Sequence, residues 1–393
     1  MDYPFYFTWS KQNTDQFIHF KSGSGNTFTT EDGKVITDLC SLTFHAAFGL
    51  DDSLIKDKIK AQLDQLPLAF SKAVYPLKEN VSKRLVDFIG IPGKIFYTVS
   101  GAEAVENALK MARFLKQGNI ILSRKSAYHG ATLGALSITD DWRVKDHFRI
   151  EDQTIHIPEP NEDPSGVKTR ELIEKIGPKN IAAFCLEPFT ITRENEAPIP
   201  PKSWWESIQK LCLEYNIFLI IDEVTCGFYR TGKPFGLQHF DIKPDMICMA
   251  KSISGGMIPL GALWTNSKIA KIFDDKVLSF GLTHAAHPLG LAALEGVLDH
   301  LTDESFVQNI KKLEQVMIAK MRDFNKLKIV SKTTSLGPLA SIKINSNMNW
   351  KDFINKGINL YRPKNRIILA PALTYSPEEL KKALNKLEEI LND

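Results

Sequence analysis

Four short stretches carry side chains whose types and spacing could do chemistry. The first is an apolar run, residues 246–250, that delivers Lys251 and then breaks on Ser252, Ser254, Gly255 and Gly256. The run reads as a buried strand, and the serines and glycines as the loop leaving it. Burying an ammonium is costly, so desolvation lowers its pKa and can leave a neutral, nucleophilic amine near neutral pH. Such an amine can form a Schiff base with an aldehyde cofactor. Taken alone, Lys251 is more simply a lysine that ends a strand and snorkels to water. The second stretch, Ile220-Ile221-Asp222-Glu223-Val224, sets two carboxylates directly behind an apolar run. Carboxylates at a strand's end are solvated, bind a metal such as magnesium, or take part in catalysis. One further role is to hold the protonated ring nitrogen of a pyridoxal cofactor. Asp222 is placed for that, and Glu223 faces the other way if the strand continues.

The third stretch, Ser100-Gly101-Ala102-Glu103, has the form of a helix capping box. The same geometry leaves free N–H groups at a positive helix end, which suits a phosphate, and Gly101 lets a ligand approach the backbone. In the fourth, Ala127-Tyr128-His129-Gly130, an aromatic ring could stack on a flat cofactor; a core tyrosine is the simpler reading.

Other motifs carry less. Residues 227–234 nearly match a phosphate-binding P-loop, but Pro234 stands where a Ser or Thr would hold magnesium. His284 and His287 lack a third ligand nearby, so no metal site is expected. Trp204-Trp205 sits in a helical stretch and reads as packing.

These side chains need a scaffold, and the hydrophobic pattern supplies one. Apolar runs at 95–99, 119–123, 181–186, 217–221, 246–250 and 260–264 alternate with helical spacing such as 103–116 and 203–215. Near-continuous apolar strands separated by helices mean an α/β fold with a mostly parallel sheet covered on both faces. Ligands bind at the carboxyl ends of such strands. Short strands are expected at 18–20 and 26–28, with a turn at 23–25 and a hairpin at Asp32-Gly33. Helices follow at 54–66 and 79–89. Beyond about 285 the pattern changes to helices at 288–301, 305–324 and 377–391, with strands at 339–344 and 366–369. We therefore expect a large domain over 45–285 and a smaller α+β domain built from 1–44 and 286–393.

Composition excludes several classes. The 393 residues exceed one small core. A net charge of +3, with no basic run interleaved with aromatics, gives no nucleic-acid footprint. No apolar stretch approaches membrane-spanning length, and the N-terminus lacks the pattern of a signal peptide. Five scattered cysteines show no CxxC pair, which fits a reducing, cytoplasmic setting.

In this order and spacing, the segments 97–104, 128–130, 186–188, 221–228, 244–251 and 282–288 resemble the class III (subgroup II) aminotransferases of pyridoxal-phosphate fold type I, from about residue 20 onward. The resemblance implies a large domain with a mostly parallel seven-stranded sheet and pyridoxal 5'-phosphate as cofactor. It implies that Lys251 forms the Schiff base and moves protons, and that Asp222 pairs with the ring nitrogen. Tyr128 and Val224 would pack on the two ring faces, with His129 beside them. Ser100, Gly101 and Ala102 would hold the phosphate, and Glu187 would support the cofactor from behind. The residue matching Thr283 reaches the neighbouring subunit's phosphate in the family, so the resemblance implies a homodimer with shared active sites.

At the substrate end the chain looks like the ω-aminotransferase branch. Arg362 is the candidate for a substrate carboxylate, against a plain surface arginine, and Phe44 stands where that branch often has a pocket tryptophan, which implies an amine pocket lined by aromatics. Ile368 stands where the ornithine branch usually has an arginine. Thr192 stands where 4-aminobutyrate-type enzymes place a glutamate, which argues against that dual specificity. The expected activity is ping-pong transfer of an amino group from an amine or ω-amino acid to an oxo acid, with pyruvate the leading acceptor. Rival readings are an aminomutase, racemase or decarboxylase on the same scaffold, a catalytically silent binding protein, and a nucleotide-dependent enzyme.

Overall fold

In a computed structural model, residues 3–147, 153–191 and 198–392 are described. The N-terminal segment forms β1 (Phe20–Ser24), β2 (Thr27–Thr30) and β3 (Val35–Asp38). Gly23 and Ser24 belong to β1, so the expected turn is confined to Gly25 and Asn26, and Ile18 and His19 stay outside the strand.

The apolar runs become the central sheet. Its strands are β4 (Gly93–Thr98), β5 (Ile120–Arg124), β6 (Thr154–Ile157), β7 (Ile181–Leu186), β8 (Phe218–Asp222), β9 (Met246–Met249) and β10 (Gly261–Asn266). They run in the order β4-β10-β9-β8-β7-β5-β6, and only β10 opposes its neighbours. Every residue of β7 and β9 is buried, the reason their sequences show no polar alternation. β6 was not legible in the pattern. It is an edge strand with one fully buried residue, so little selects for apolar side chains.

Helix Gly101–Leu115 presses Ala104, Ala108 and Ala112 onto one face of the sheet, beside Ala183 and Cys248. The other face carries Trp204 and Trp205, their rings at 73° and both fully buried, against Phe184 and Ile221. Helix Pro288–Thr302 also buries Leu291, Leu294 and Val297 in this second cluster, past the boundary expected at 285. A separate core lies under β12 (Leu339–Ile344) and β14 (Arg366–Leu369), which form a sheet with β11 (Val330–Leu336). β13 (Ile358–Asn359) pairs in parallel with β3, so the two ends of the chain share a sheet. No helix among the described residues is long and apolar enough to cross a membrane.

Candidate active site

The central sheet delivers its chemistry at the carboxyl ends of its strands. Asp222 is the last residue of β8 and registers with Cys248 on the parallel strand β9. Two residues past β9 the backbone turns through Lys251, which is left-handed (φ 51°). Ser100 follows β4, Glu187 follows β7, and Tyr128 follows β5 by four residues. Ser100, Gly101, Ala102, Tyr128, His129, Asp222, Val224 and Lys251 line one cavity of about 330 Å³.

Inside it, Lys251 Nζ donates to Thr225 Oγ1 at 2.8 Å. Burial pushes the amine's pKa down, while the Asp222 and Glu187 carboxylates oppose the shift. His129 Nδ1 donates to Asp222 Oδ2 at 2.7 Å, and Asp222 Oδ1 accepts the Val224 N–H at 3.0 Å. Burial alone would lower the His129 pKa, but the Asp222 hydrogen bond and charge raise it on balance. Glu187 is buried with Oε2 lacking a partner, and desolvation raises its pKa to about 7.

Ser100 caps helix Gly101–Leu115 by accepting the Glu103 N–H at 3.2 Å. Glu103 returns the bond to Val99 N–H at 2.9 Å. Gly101 and Ala102 open the helix, where N–H groups have no intrahelical acceptor. The glycine at 101 has a packing cause beyond the ligand approach expected of it. A Cβ there would meet both Val224 methyls at 2.9 Å. Gly130 (φ 137°) likewise lets the Tyr128 loop close onto Ala102.

The remaining expected residues are placed differently. Phe44 is buried, with Lys251 Nζ 5.0 Å from its ring centroid. Arg362 does not line the cavity; its guanidinium donates to Arg366 O and Ser346 O, both at 3.2 Å. Thr283 is exposed and also stands off the cavity of its own chain. Thr192 lies outside the described residues. Glu223 is buried and accepts the Gly236 and Leu237 N–H groups at 2.9 and 2.7 Å, which pins a loop. Arg230, inside the P-loop-like stretch, is buried and donates to Pro371 O at 2.6 Å. His287 caps helix Pro288–Thr302 through Leu289 N–H.

Thr225 and His45 also line the cavity, and the sequence reading singled out neither. Thr225 sits three residues past Asp222, so the strand-end pattern could have found it. His45 follows no strand of the central sheet.

The cavity gathers a buried lysine, a buried carboxylate and a helix N-terminus at the carboxyl ends of a mostly parallel sheet, an arrangement typical of ligand-binding α/β enzymes. The family model Aminotransferase class-III matches residues 8–391. The chain is 30% identical to adenosylmethionine-8-amino-7-oxononanoate aminotransferase of Helicobacter pylori, over 91% of this chain and 88% of that one. The solved taurine:2-oxoglutarate aminotransferase of Bifidobacterium kashiwanohense superposes with a TM-score of 0.91 at 28% identity, covering 98% of this chain and 94% of that one. An S-selective transaminase from Bacillus megaterium gives 0.89 at 26% identity, covering 99% and 96%. The chain belongs to the class III aminotransferase family. It is a pyridoxal-phosphate-dependent aminotransferase of fold type I. The donor set fits the cofactor: a desolvated amine, a buried carboxylate and a helix N-terminus open into one cavity.

Proposed function

We propose that Lys251 anchors the cofactor and shuttles the proton, and that the enzyme moves an amino group from an amine or ω-amino acid to an oxo acid. Bound pyridoxal phosphate supplies a reactive aldehyde and a ring that accepts electrons. The chain's own groups then act around it. Asp222, hydrogen-bonded to His129, would pair with the ring nitrogen of the bound cofactor, and Glu187 would support it. Ser100, Gly101 and Ala102 offer helix N-terminal N–H groups to a phosphate. Tyr128 and Val224 wall the cavity. Lys251 Nζ, with its pKa lowered by burial, can take and return a proton, and Thr225 orients it. The observation that carries this reading is the convergence of Lys251, Asp222 and the helix N-terminus on one cavity.

Pyruvate is the proposed acceptor, by family resemblance. Arg362 remains a candidate for a carboxylate; reaching the cavity requires it to leave its two carbonyl partners. A homodimer is proposed because Thr283 is exposed, and because Leu68, Phe70, Val74 and Val277 are exposed apolar residues a second copy could cover. A cytoplasmic location is proposed from five free, buried cysteines.

Borohydride should fix pyridoxal phosphate to Lys251, and Lys251→Ala should keep its fold while losing turnover. Full turnover in that variant would sink the assignment. One product amine per donor consumed would separate transfer from aminomutase, racemase or decarboxylase chemistry.

A further inference from the structure

We propose that Arg143, caged by Trp9 and Tyr128, recognises an acidic group at the end of the donor remote from its amine. This rests on the aminotransferase reading of the cavity and narrows its donor to an ω-amino acid. Arg143 lies in the short helical turn Trp142–Val144. Its guanidinium carbon is 4.4 Å from the Tyr128 ring centroid, 4.8 Å from Trp9 and 5.0 Å from Trp142. Contact with ring faces holds the charge in place without using N–H donors. Nη1 pairs with Asp141, whose other oxygen caps the turn through Arg143 N–H at 2.9 Å. Nε is buried and has no acceptor. Asp141 pairs the charge, but a buried N–H donor without an acceptor is still unfavourable, and an oxyanion brought by a substrate would satisfy it.

The placement is next to the chemistry. Tyr128, the ring under the guanidinium, is a wall of the cavity that holds Lys251. The Arg143 charge also reaches Lys251, where it helps lower the amine's pKa. Neither arginine lines the Lys251 cavity itself: Arg143 lies behind the Tyr128 ring that walls it, whereas Arg362, whose Nε is also orphaned, lines a separate cavity with Leu42 and Trp350. Trp9 and Arg143 lie far apart in sequence, so the subsite exists only once the N-terminal arm is folded across residues 128–143. The ligand chemistry is a strong oxyanion, which a carboxylate or a sulfonate can supply.

The test compares holoenzymes of wild type, Arg143→Met and Arg143→Lys. Donors are 4-aminobutyrate, 2-aminoethanesulfonate and n-butylamine, followed by loss of the bound cofactor's visible absorption. Calorimetric binding of butyrate, which has no amine to transfer, gives a readout independent of turnover. Wild type should favour at least one acid over n-butylamine, and the favoured acid identifies the oxyanion. Arg143→Met should cut that kcat/KM ratio and weaken butyrate binding by about ten-fold or more. Arg143→Lys should recover part of the ratio, because charge returns without the planar fork. An unchanged ratio in an Arg143→Met protein that keeps its cofactor absorption overturns the subsite, as does a wild type that prefers n-butylamine. A wild type with no fixable cofactor overturns the underlying reading, and the subsite with it.

Discussion

His129 Nδ1 lies 2.7 Å from Asp222 Oδ2, and both side chains are closed off from water. The pair has a definite pH signature. His129 is raised above its ordinary 6.5, because the Asp222 bond and charge outweigh burial. The extra stability is therefore fully present below pH 6.5 and is lost as pH rises through the folded-state pKa. His129→Asn should lower the melting midpoint most in that acidic range, by the equivalent of about 3 kcal/mol, the scale for breaking a buried pair. The gap to wild type should narrow in alkali. A gap that is constant with pH would mean the imidazole is neutral in the folded protein.

Glu187 titrates in the opposite sense from a salt-bridged carboxylate. Burial lifts it from 4.5 to about 7, with His129 resisting. The folded state thus keeps a proton that the unfolded chain gives up, and stability declines as pH rises from 4.5 towards 7. Glu187→Gln cannot ionise and should remove that part of the slope. Glu223, raised to about 8 by burial, adds a slope of its own, so the wild-type minus variant difference is the quantity to measure. A difference that does not change across the window would place the Glu187 carboxyl in water.

Legibility in the sequence followed the range of the interactions. β7, β12 and β14 coincide with the runs read from the pattern, because burial leaves mainly apolar sequence; it is unbroken in β7, while Ser341 and Lys343 interrupt β12 and Arg366 opens β14. Asp222, Lys251, Tyr128 and Ser100 each lie within a few residues of a strand end, so local pattern sufficed to find them. Arg143 was missed because it follows no strand end and its partner Trp9 lies far off in sequence. Arg362 was assigned to the site by its segment, yet its direction depends on Ser346 O and Arg366 O, which spacing does not encode.

Gly101 is constrained by its neighbours as well as by any ligand. Gly101→Ala would drive a methyl to 2.9 Å from both Val224 methyls and 3.2 Å from Ala250 Cβ. Overpacking of this kind costs about 1–3 kcal/mol, taken up by moving the Val224 wall or the helix N-terminus. Either displacement loosens the cavity. Titration of the variant with pyridoxal phosphate should show about ten-fold weaker binding, the lower end of that range. Wild-type affinity would mean that the wall yields without cost.

Phe44 reaches Lys251 through a backbone conformation that needs support. Ser41, Leu42, Thr43 and Phe44 all have positive φ, at 48°, 45°, 70° and 78°. A left-handed residue with a side chain costs about 1–2 kcal/mol, so four in a row persist only when other bonds hold them. Asp38 supplies most of that hold. Its buried carboxylate accepts N–H groups from Cys40 at 3.0 Å and Leu42 at 2.8 Å, and an amide hydrogen from Asn359 at 3.0 Å. Ser41 Oγ donates to Ala370 O at 2.6 Å and accepts from Arg230 Nη2 at 3.3 Å. Asp38→Ala should strand these donors and lower stability by roughly 1–3 kcal/mol. It should also lose activity by letting Phe44 leave the lysine. If Asp38 acts on turnover only through Phe44, the two changes are not independent. The Asp38→Ala, Phe44→Ala double variant should then turn over no more slowly than the worse single variant, while its melting midpoint falls further. Multiplicative losses of activity would instead give Asp38 a route to Lys251 that bypasses the ring.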